Sequence, residues 1–192
     1  MTSVTIFGSG NMGTAIDGLL SAGGASVEHV TTSSAPGTPI NGDIVILAVY
    51  HPAVSDIAAA YGDQLAGKIV VDITNPLNLE TFDSLAVPAD SSAAAELAAS
   101  LPDSQVLKAF NTNFAPTLAA KSVGANKTTV LIAGDDTEAK ATLADALTAG
   151  GLDAVDAGAL NRARELEAVG FLQLKLALGE QVGWTGGFAT VR

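Results

Sequence analysis

Val4-Thr5-Ile6-Phe7-Gly8-Ser9-Gly10-Asn11-Met12-Gly13 decides how this chain is read. A short apolar strand runs into a glycine turn. Met12, Ala15, Ile16, Leu19 and Leu20 then recur at helical spacing until Gly23-Gly24 stops them. Gly8, Gly10 and Gly13 have the G-x-G-x-x-G spacing of a dinucleotide site, in which one glycine makes a tight turn, one lets the backbone approach a pyrophosphate, and one lets helix and strand pack closely. Free N–H groups at the start of the following helix supply an anion site. The spacing alone is common in a chain rich in alanine and glycine. The strand before it and the helix after it turn it into an expectation of dinucleotide binding by Gly8, Ser9, Gly10, Asn11, Met12 and Gly13.

The composition narrows the classes of function. The chain has 192 residues, 48% hydrophobic and only 15% charged, which is enough for one domain with a full core. Twenty acidic residues against nine basic give a net charge of −11, which argues against nucleic acid or an anionic membrane as partner. Positive potential at any bound phosphate must therefore come mostly from backbone dipoles. The absence of cysteine removes disulfides, thiolate metal sites and cysteine nucleophiles, and fits a reducing cytoplasm. No basic region precedes the first strand as in a signal peptide, and no apolar run is long enough to span a bilayer, so the expectation is a cytoplasmic protein.

Further strands are read at 25–32, 43–49, 68–73, 105–109, 128–133 and 152–156. Ile44-Val45-Ile46-Leu47-Ala48-Val49 is continuously apolar, as in a parallel strand covered on both faces. Helices are read at 52–61, at 93–101 behind a Ser91-Ser92 cap, from Asp135-Asp136 to about 149, and from about 160 to 182. The turn-rich stretch 33–39 abbreviates one crossover, and 78–90 reads as irregular. Alternation of strands and helices predicts an α/β fold, a Rossmann-type doubly wound and mostly parallel sheet with a C-terminal helical extension. It forms a single dinucleotide-binding domain, with residues 1–157 as its core and 158–192 as helix and tail.

In such a sheet, ligands lie beyond the carboxyl ends of the strands. Those ends carry Thr31, Thr32, Ser33 and Ser34; Ala48, Val49, Tyr50, His51 and Pro52; Thr74, Asn75 and Pro76; and Asn111, Thr112 and Asn113. Neutral hydrogen-bonding groups dominate, which suits ribose and carboxamide recognition better than acid–base hydrolysis. An NAD site places an acid at the end of the second strand, but Glu28 lies several residues too early. The hydroxyls of Thr32, Ser33 and Ser34 accept a 2′-phosphate without repulsion and favour NADP(H) over NAD(H). A turn held by its own hydroxyls explains the same residues. His51 is the candidate general acid, and the competing role is packing against or bonding the cofactor. Asp72 and Lys108 read as structural pairs. Arg162, Arg164, Glu165 and Glu167 offer charge pairs at helical spacing, most simply on a solvated or interface face. Zinc-ligand spacing, a Walker lysine and a G-x-S-x-G elbow do not occur, so no metal site is expected, and hydrolase and phosphoryl-transfer readings lack their main requirement.

Ile6-Phe7-Gly8-Ser9-Gly10-Asn11-Met12-Gly13, Val70-Val71-Asp72-Ile73-Thr74-Asn75-Pro76-Leu77 and Val106-Leu107-Lys108-Ala109-Phe110-Asn111-Thr112 together resemble the family of coenzyme-F420-dependent NADP oxidoreductases. That family shares its fold with the cytoplasmic domain of the STEAP metalloreductases. Ala133-Gly134-Asp135-Asp136, Asp156-Ala157-Gly158-Ala159-Leu160 and Arg164-Glu165-Leu166-Glu167 extend the match over nearly the whole chain. The resemblance implies NADP(H) with its pyrophosphate on the backbone of Ser9 to Met12. It implies a nicotinamide near Val49 to Pro52, Asn75-Pro76 and Asn111. A flavin or F420 ring would stack on it as co-substrate, a small-molecule redox acceptor, with direct hydride transfer between rings. A homodimer through the last helix is also implied.

Two features depart from the family pattern. The arginine that commonly grips the 2′-phosphate is replaced by Thr32-Ser33-Ser34, which leaves cofactor choice open. The segment from Gly183 onward, with Trp184 and Phe188, belongs to a subgroup and leaves the acceptor open. Reduction of a small imine or carbonyl is the alternative enzyme reading, although relatives of that kind usually add a longer helical domain. A non-enzymatic NADP(H)-sensing module is the alternative from another class.

Overall fold

Parallel strands joined by crossover helices form the frame of the computed structural model, which describes residues 2–191. β1 (Ser3–Phe7) leads into α1 (Asn11–Ala22) and β2 (Ser26–Val30). β3 (Ile44–Leu47), α2 (Val54–Leu65) and β4 (Ile69–Asp72) follow, then α3 (Ala93–Ser100) and β5 (Gln105–Lys108). The remainder is α4 (Ala115–Ala120), a small hairpin of β6 (Ser122–Val123) and β7 (Asn126–Lys127), β8 (Thr129–Gly134), α5 (Thr137–Ala149), β9 (Asp153–Gly158) and α6 (Ala163–Leu178). The seven-stranded sheet has the order β2-β1-β3-β4-β5-β8-β9. Its neighbours are parallel except β5 and β8, which pair antiparallel through Leu107–Gly134 and Lys108–Ala133.

Alternation along the strands builds two cores. Val4, Ile6, Ile44, Ile46, Val71 and Leu107 face α1, α4 and α5, where Ile16, Leu20, Leu118, Leu143 and Leu147 meet them. Phe7, Val45, Leu47, Val70 and Val106 face the other way, onto Val54, Leu65, Leu97, Leu160 and Ala163. All four residues of β3 are fully buried, so its continuous apolar run is a strand covered on both faces. Among the described residues no helix is long and apolar enough to cross a membrane.

The α/β, doubly wound, mostly parallel sheet expected from the sequence is the one observed, and several local readings need correction. The segment after β5 holds a six-residue helix, α4, which begins with proline in its first turn and is too short to show a periodicity. The helix read from Pro52 is a 3-10 turn, His51–Ala53, followed by α2, which continues past Tyr61 to Leu65. β9 runs to Gly158 rather than Asp156. α6 stops at Leu178 because Gly179 caps it, four residues before the expected end at Val182.

Candidate functional site

β1 pairs with β2 on one side and β3 on the other, so successive connections part above its carboxyl end and open a crevice there. The glycine loop fills that switch point. Gly8 has φ +102°, a conformation for glycine, and a Cβ on it would strike the Ala48 carbonyl. A Cβ on Gly13 would lie 2.8 Å from the Gly8 carbonyl oxygen. Both glycines are therefore required by the protein's own packing. Gly10 is not: a Cβ there meets nothing within 4 Å. The space beside Gly10 suits close approach of a ligand to the backbone. Gly10 is also the N-cap of α1, with no side-chain cap and no acid in the first helical turn, which leaves the leading N–H groups to an anion. From Ser9, Gly10 and Asn11 a groove of about 550 Å³ runs between α1 and α4.

At the end of β2 the hydroxyls form a turn. The Ser34 N–H donates to the Thr31 carbonyl (2.9 Å), and the Thr31 N–H donates to Ser34 Oγ (3.0 Å). Thr31 Oγ1 and Ser33 Oγ are 2.8 Å apart. Thr32 is exposed and outside this network. Glu28 faces away from the turn and accepts from Thr5 Oγ1 (2.7 Å), the Asn41 N–H (3.0 Å) and Asn41 Nδ2 (3.1 Å). Burial pushes its carboxyl up, but those hydrogen bonds and the nearby Lys68 charge outweigh burial and hold it below the ordinary glutamate range.

The ends of β3, β4 and β5 share another property. Among the described residues, four buried side-chain polar atoms have no partner: His51 Nδ1, Thr74 Oγ1, Asn111 Oδ1 and Asn113 Oδ1. All four follow these three strands. A buried polar atom without a partner costs about 1–3 kcal/mol, so each of the four would be stabilised by a hydrogen-bonding partner. Phe110, fully buried at φ +62°, turns the chain there and aims Asn111 toward α6.

α6 lies against the same ends. Asn75 Nδ2 donates to the Asn111 carbonyl (2.9 Å), and Asn111 Nδ2 donates to Asn75 Oδ1 (2.9 Å) and to the Leu166 carbonyl (2.8 Å). Gln173 Nε2 donates to the Thr112 carbonyl (3.0 Å). Gly170 passes over this amide pair, and a Cβ on it would lie 2.5 Å from Asn75 Oδ1. The Asn75 amide is thus tied to Asn111 and the Asn111 amide to α6, while Asn111 Oδ1 and Thr74 Oγ1 have no partner. Ala48 and Val49 are half-buried beside Gly8, Tyr50 projects into solvent, and Pro76 is buried.

Beneath these residues lies a buried charge cluster. Lys108 Nζ donates to Asp72 Oδ2 (2.7 Å) and the Thr74 carbonyl (2.6 Å), and forms an ion pair with Glu167 Oε1 (2.8 Å). The three side chains are at most 1% exposed. Glu167 also caps the N-terminus of α3, accepting from Ala93 N (3.0 Å) and Ala94 N (3.4 Å). The expected structural pairing of Asp72 with Lys108 is present. Glu167, expected on a solvated or interface face, is instead wholly buried, because Ala163, Leu166, Glu167, Gly170, Gln173 and Ala177 form the inward stripe of α6. That stripe of small and apolar residues was the available signal that Glu167 and Gln173 face inward. Arg162 and Glu165 do pair on the surface (3.3 Å).

The fold, the switch-point loop and the uncapped helix define a Rossmann-type dinucleotide-binding protein. The chain is 31% identical over 149 residues to the F420-dependent NADP reductase of Methanocaldococcus jannaschii, covering 76% of this chain and 66% of that protein. It is 38% identical over 127 residues to the metalloreductase STEAP3 of Rattus norvegicus, covering 66% of this chain but 25% of that protein. A crystal structure from Arthrobacter sp. FB24, provisionally described as an F420-dependent NADP reductase, superposes with a TM-score of 0.86 over the whole of both chains at 23% identity. No family model matches the chain. The chain belongs to the family of oxidoreductases that contains the F420-dependent NADP reductases. It spans about two thirds of the archaeal reductase and a quarter of the metalloreductase.

Proposed function

We propose that the chain is an NADP(H)-dependent oxidoreductase that passes a hydride between the nicotinamide and a flavin- or F420-like acceptor. The observation that carries this reading is the gathering of four unpartnered buried polar atoms at the ends of β3, β4 and β5, next to a glycine loop open to a ligand. The bound dinucleotide supplies the hydride. The backbone of Gly8 to Gly13 holds its pyrophosphate, and Thr32, with Ser33 and Ser34, faces the 2′-phosphate. Ala48 to Pro52, Thr74 to Pro76, Asn111 and Thr112 surround the nicotinamide, with Asn111 Oδ1 and Thr74 Oγ1 free to bond its carboxamide. α6 backs the site and excludes water. Asp72, Lys108 and Glu167 are paired with one another in the core and serve to hold α6 in place. Ring-to-ring transfer needs positioning and dryness, not an acid at the carbon.

One observation favours a second reading, reduction of a small imine or carbonyl. His51 Nδ1 is buried without a partner, and His51 lines a cleft of about 430 Å³ between α2 and α3 together with Glu96 and Ser100. In that reading His51 supplies the proton. The deciding experiment follows NADPH and NADH oxidation with FMN, FAD, riboflavin, F420 and small carbonyls, for the wild type and His51→Ala. Turnover of flavin-like acceptors that survives the substitution supports ring-to-ring transfer. Loss of turnover with cofactor binding intact selects the carbonyl reading. Tight NADPH binding without turnover of any acceptor selects a sensing module.

A homodimer through α6 belongs to the same proposal. Val169, Leu172 and Leu178 are exposed apolar residues of that helix. Sedimentation equilibrium of Leu172→Glu against the wild type tests it, with dissociation as the expected result.

A further inference from the structure

We propose that His29 is a positioning residue for the glycine loop, fixing the Gly8–Ser9 peptide so that the Ser9 N–H faces the anion site. The proposal rests on the reading that this loop holds the pyrophosphate of NADP(H). His29 Nδ1 lies 2.8 Å from the Gly8 carbonyl oxygen, and Nε2 lies 3.0 Å from Asp17 Oδ2 on α1. A carbonyl oxygen only accepts, so Nδ1 carries the proton in this contact.

Residues 29 and 30 of β2 thereby hold both polar groups of Gly8. The Gly8 N–H donates to the Val30 carbonyl (2.8 Å), while its carbonyl accepts from His29. A Cβ on Gly13 would lie 2.8 Å from the same oxygen, so a side chain there would compete with His29 for its position. In a planar trans peptide the C=O and the following N–H point in opposite directions. Anchoring the Gly8 oxygen toward β2 and α1 therefore turns the Ser9 N–H outward, toward the open side of Gly10. Ser9 is exposed, and among the described residues its N–H donates to no protein acceptor. Without the His29 bond, Gly8 keeps the wide conformational range of glycine, and this peptide can rotate away from a bound phosphate.

The test compares wild type, His29→Phe and His29→Gln in fluorescence titrations with NADPH and with adenosine 2′-monophosphate, which has no pyrophosphate. Steady-state oxidation of NADPH with FMN accompanies them. His29→Phe keeps the ring shape and loses both N–H groups, and its Kd for NADPH should rise about tenfold, the loss of one loop-orienting hydrogen bond. The loss should fall on KM for NADPH rather than on kcat, and adenosine 2′-monophosphate should bind all three proteins alike. His29→Gln keeps one donor and should recover part of the affinity; it also serves if His29→Phe fails to fold. NADPH affinity equal to wild type in the folded variants overturns the proposal. Equal weakening of both ligands overturns it too, because the effect is then a general disturbance of the domain. A wild type that binds no NADPH overturns the reading of the loop itself, and this proposal with it.

Discussion

Thr32 is the residue at which the proposed preference for NADP(H) is tested. Its neighbours Thr31, Ser33 and Ser34 bond within their own turn, so the hydroxyl-rich turn read as a competing explanation is present. Thr32 stands outside it. Thr32→Asp places a negative charge beside the proposed 2′-phosphate, and KM for NADPH should rise about tenfold with little change for NADH. Equal losses for both cofactors would remove Thr32 from the phosphate site. Glu28 allows a test of stability. Its carboxyl is held below the ordinary range of about 4.3, so the folded state binds its proton less readily than the unfolded chain. This contribution is fully present above the unfolded value and is lost as pH falls through the lower folded value. Glu28→Gln should therefore lower stability at pH 7 and flatten its decline below about pH 4.5, measured by urea unfolding across pH.

α6 is the element that packs across the ends of β4 and β5. It is held by the buried Lys108–Glu167 ion pair, by hydrogen bonds from Asn111 to the Leu166 carbonyl and from Gln173 to the Thr112 carbonyl, and by a close approach at Gly170. Lys108→Met leaves Asp72 and Glu167 facing each other in a dry core and should cost about 3–5 kcal/mol in urea unfolding. Gly170→Ala should be milder, about 1–3 kcal/mol, as the amide pair shifts to admit a methyl group. Its signature is local: faster hydrogen exchange in 163–178 than in β1 or β3, together with a raised KM for NADPH. Uniform exchange across the chain would show that Gly170 is not where α6 is docked.

The whole molecule carries a net charge of −11 and is proposed to bind an anionic dinucleotide. Long-range repulsion opposes encounter, while helix and backbone dipoles act only at short range. Raising ionic strength from 10 to 150 mM, over which the Debye length shrinks from about 30 to about 8 Å, should accelerate NADPH association in stopped-flow measurements. A rate that falls with salt would reveal a local cationic path not expressed in the net charge.

What the residues alone determined was local and periodic. The glycine spacing, the apolar run of β3 and the Ser92 and Asp136 caps follow from short-range sterics and burial patterns, and these gave the α/β class and the switch-point loop. Asp72 and Lys108 were legible as structural charges because both stand in apolar strands, and the β4–β5 register then set them opposite each other. Only the tertiary structure decided the rest. It tied Asn75 to Asn111 and Asn111 to α6, buried Glu167 with Lys108, set His29 against Gly8, and left four buried polar atoms unpartnered after the strand ends. Each of those contacts joins residues at least 21 positions apart, and many alternative pairings share the same local pattern. Residue type states what a side chain can bond; which partner it meets is decided when the sheet order brings distant strand ends to one edge.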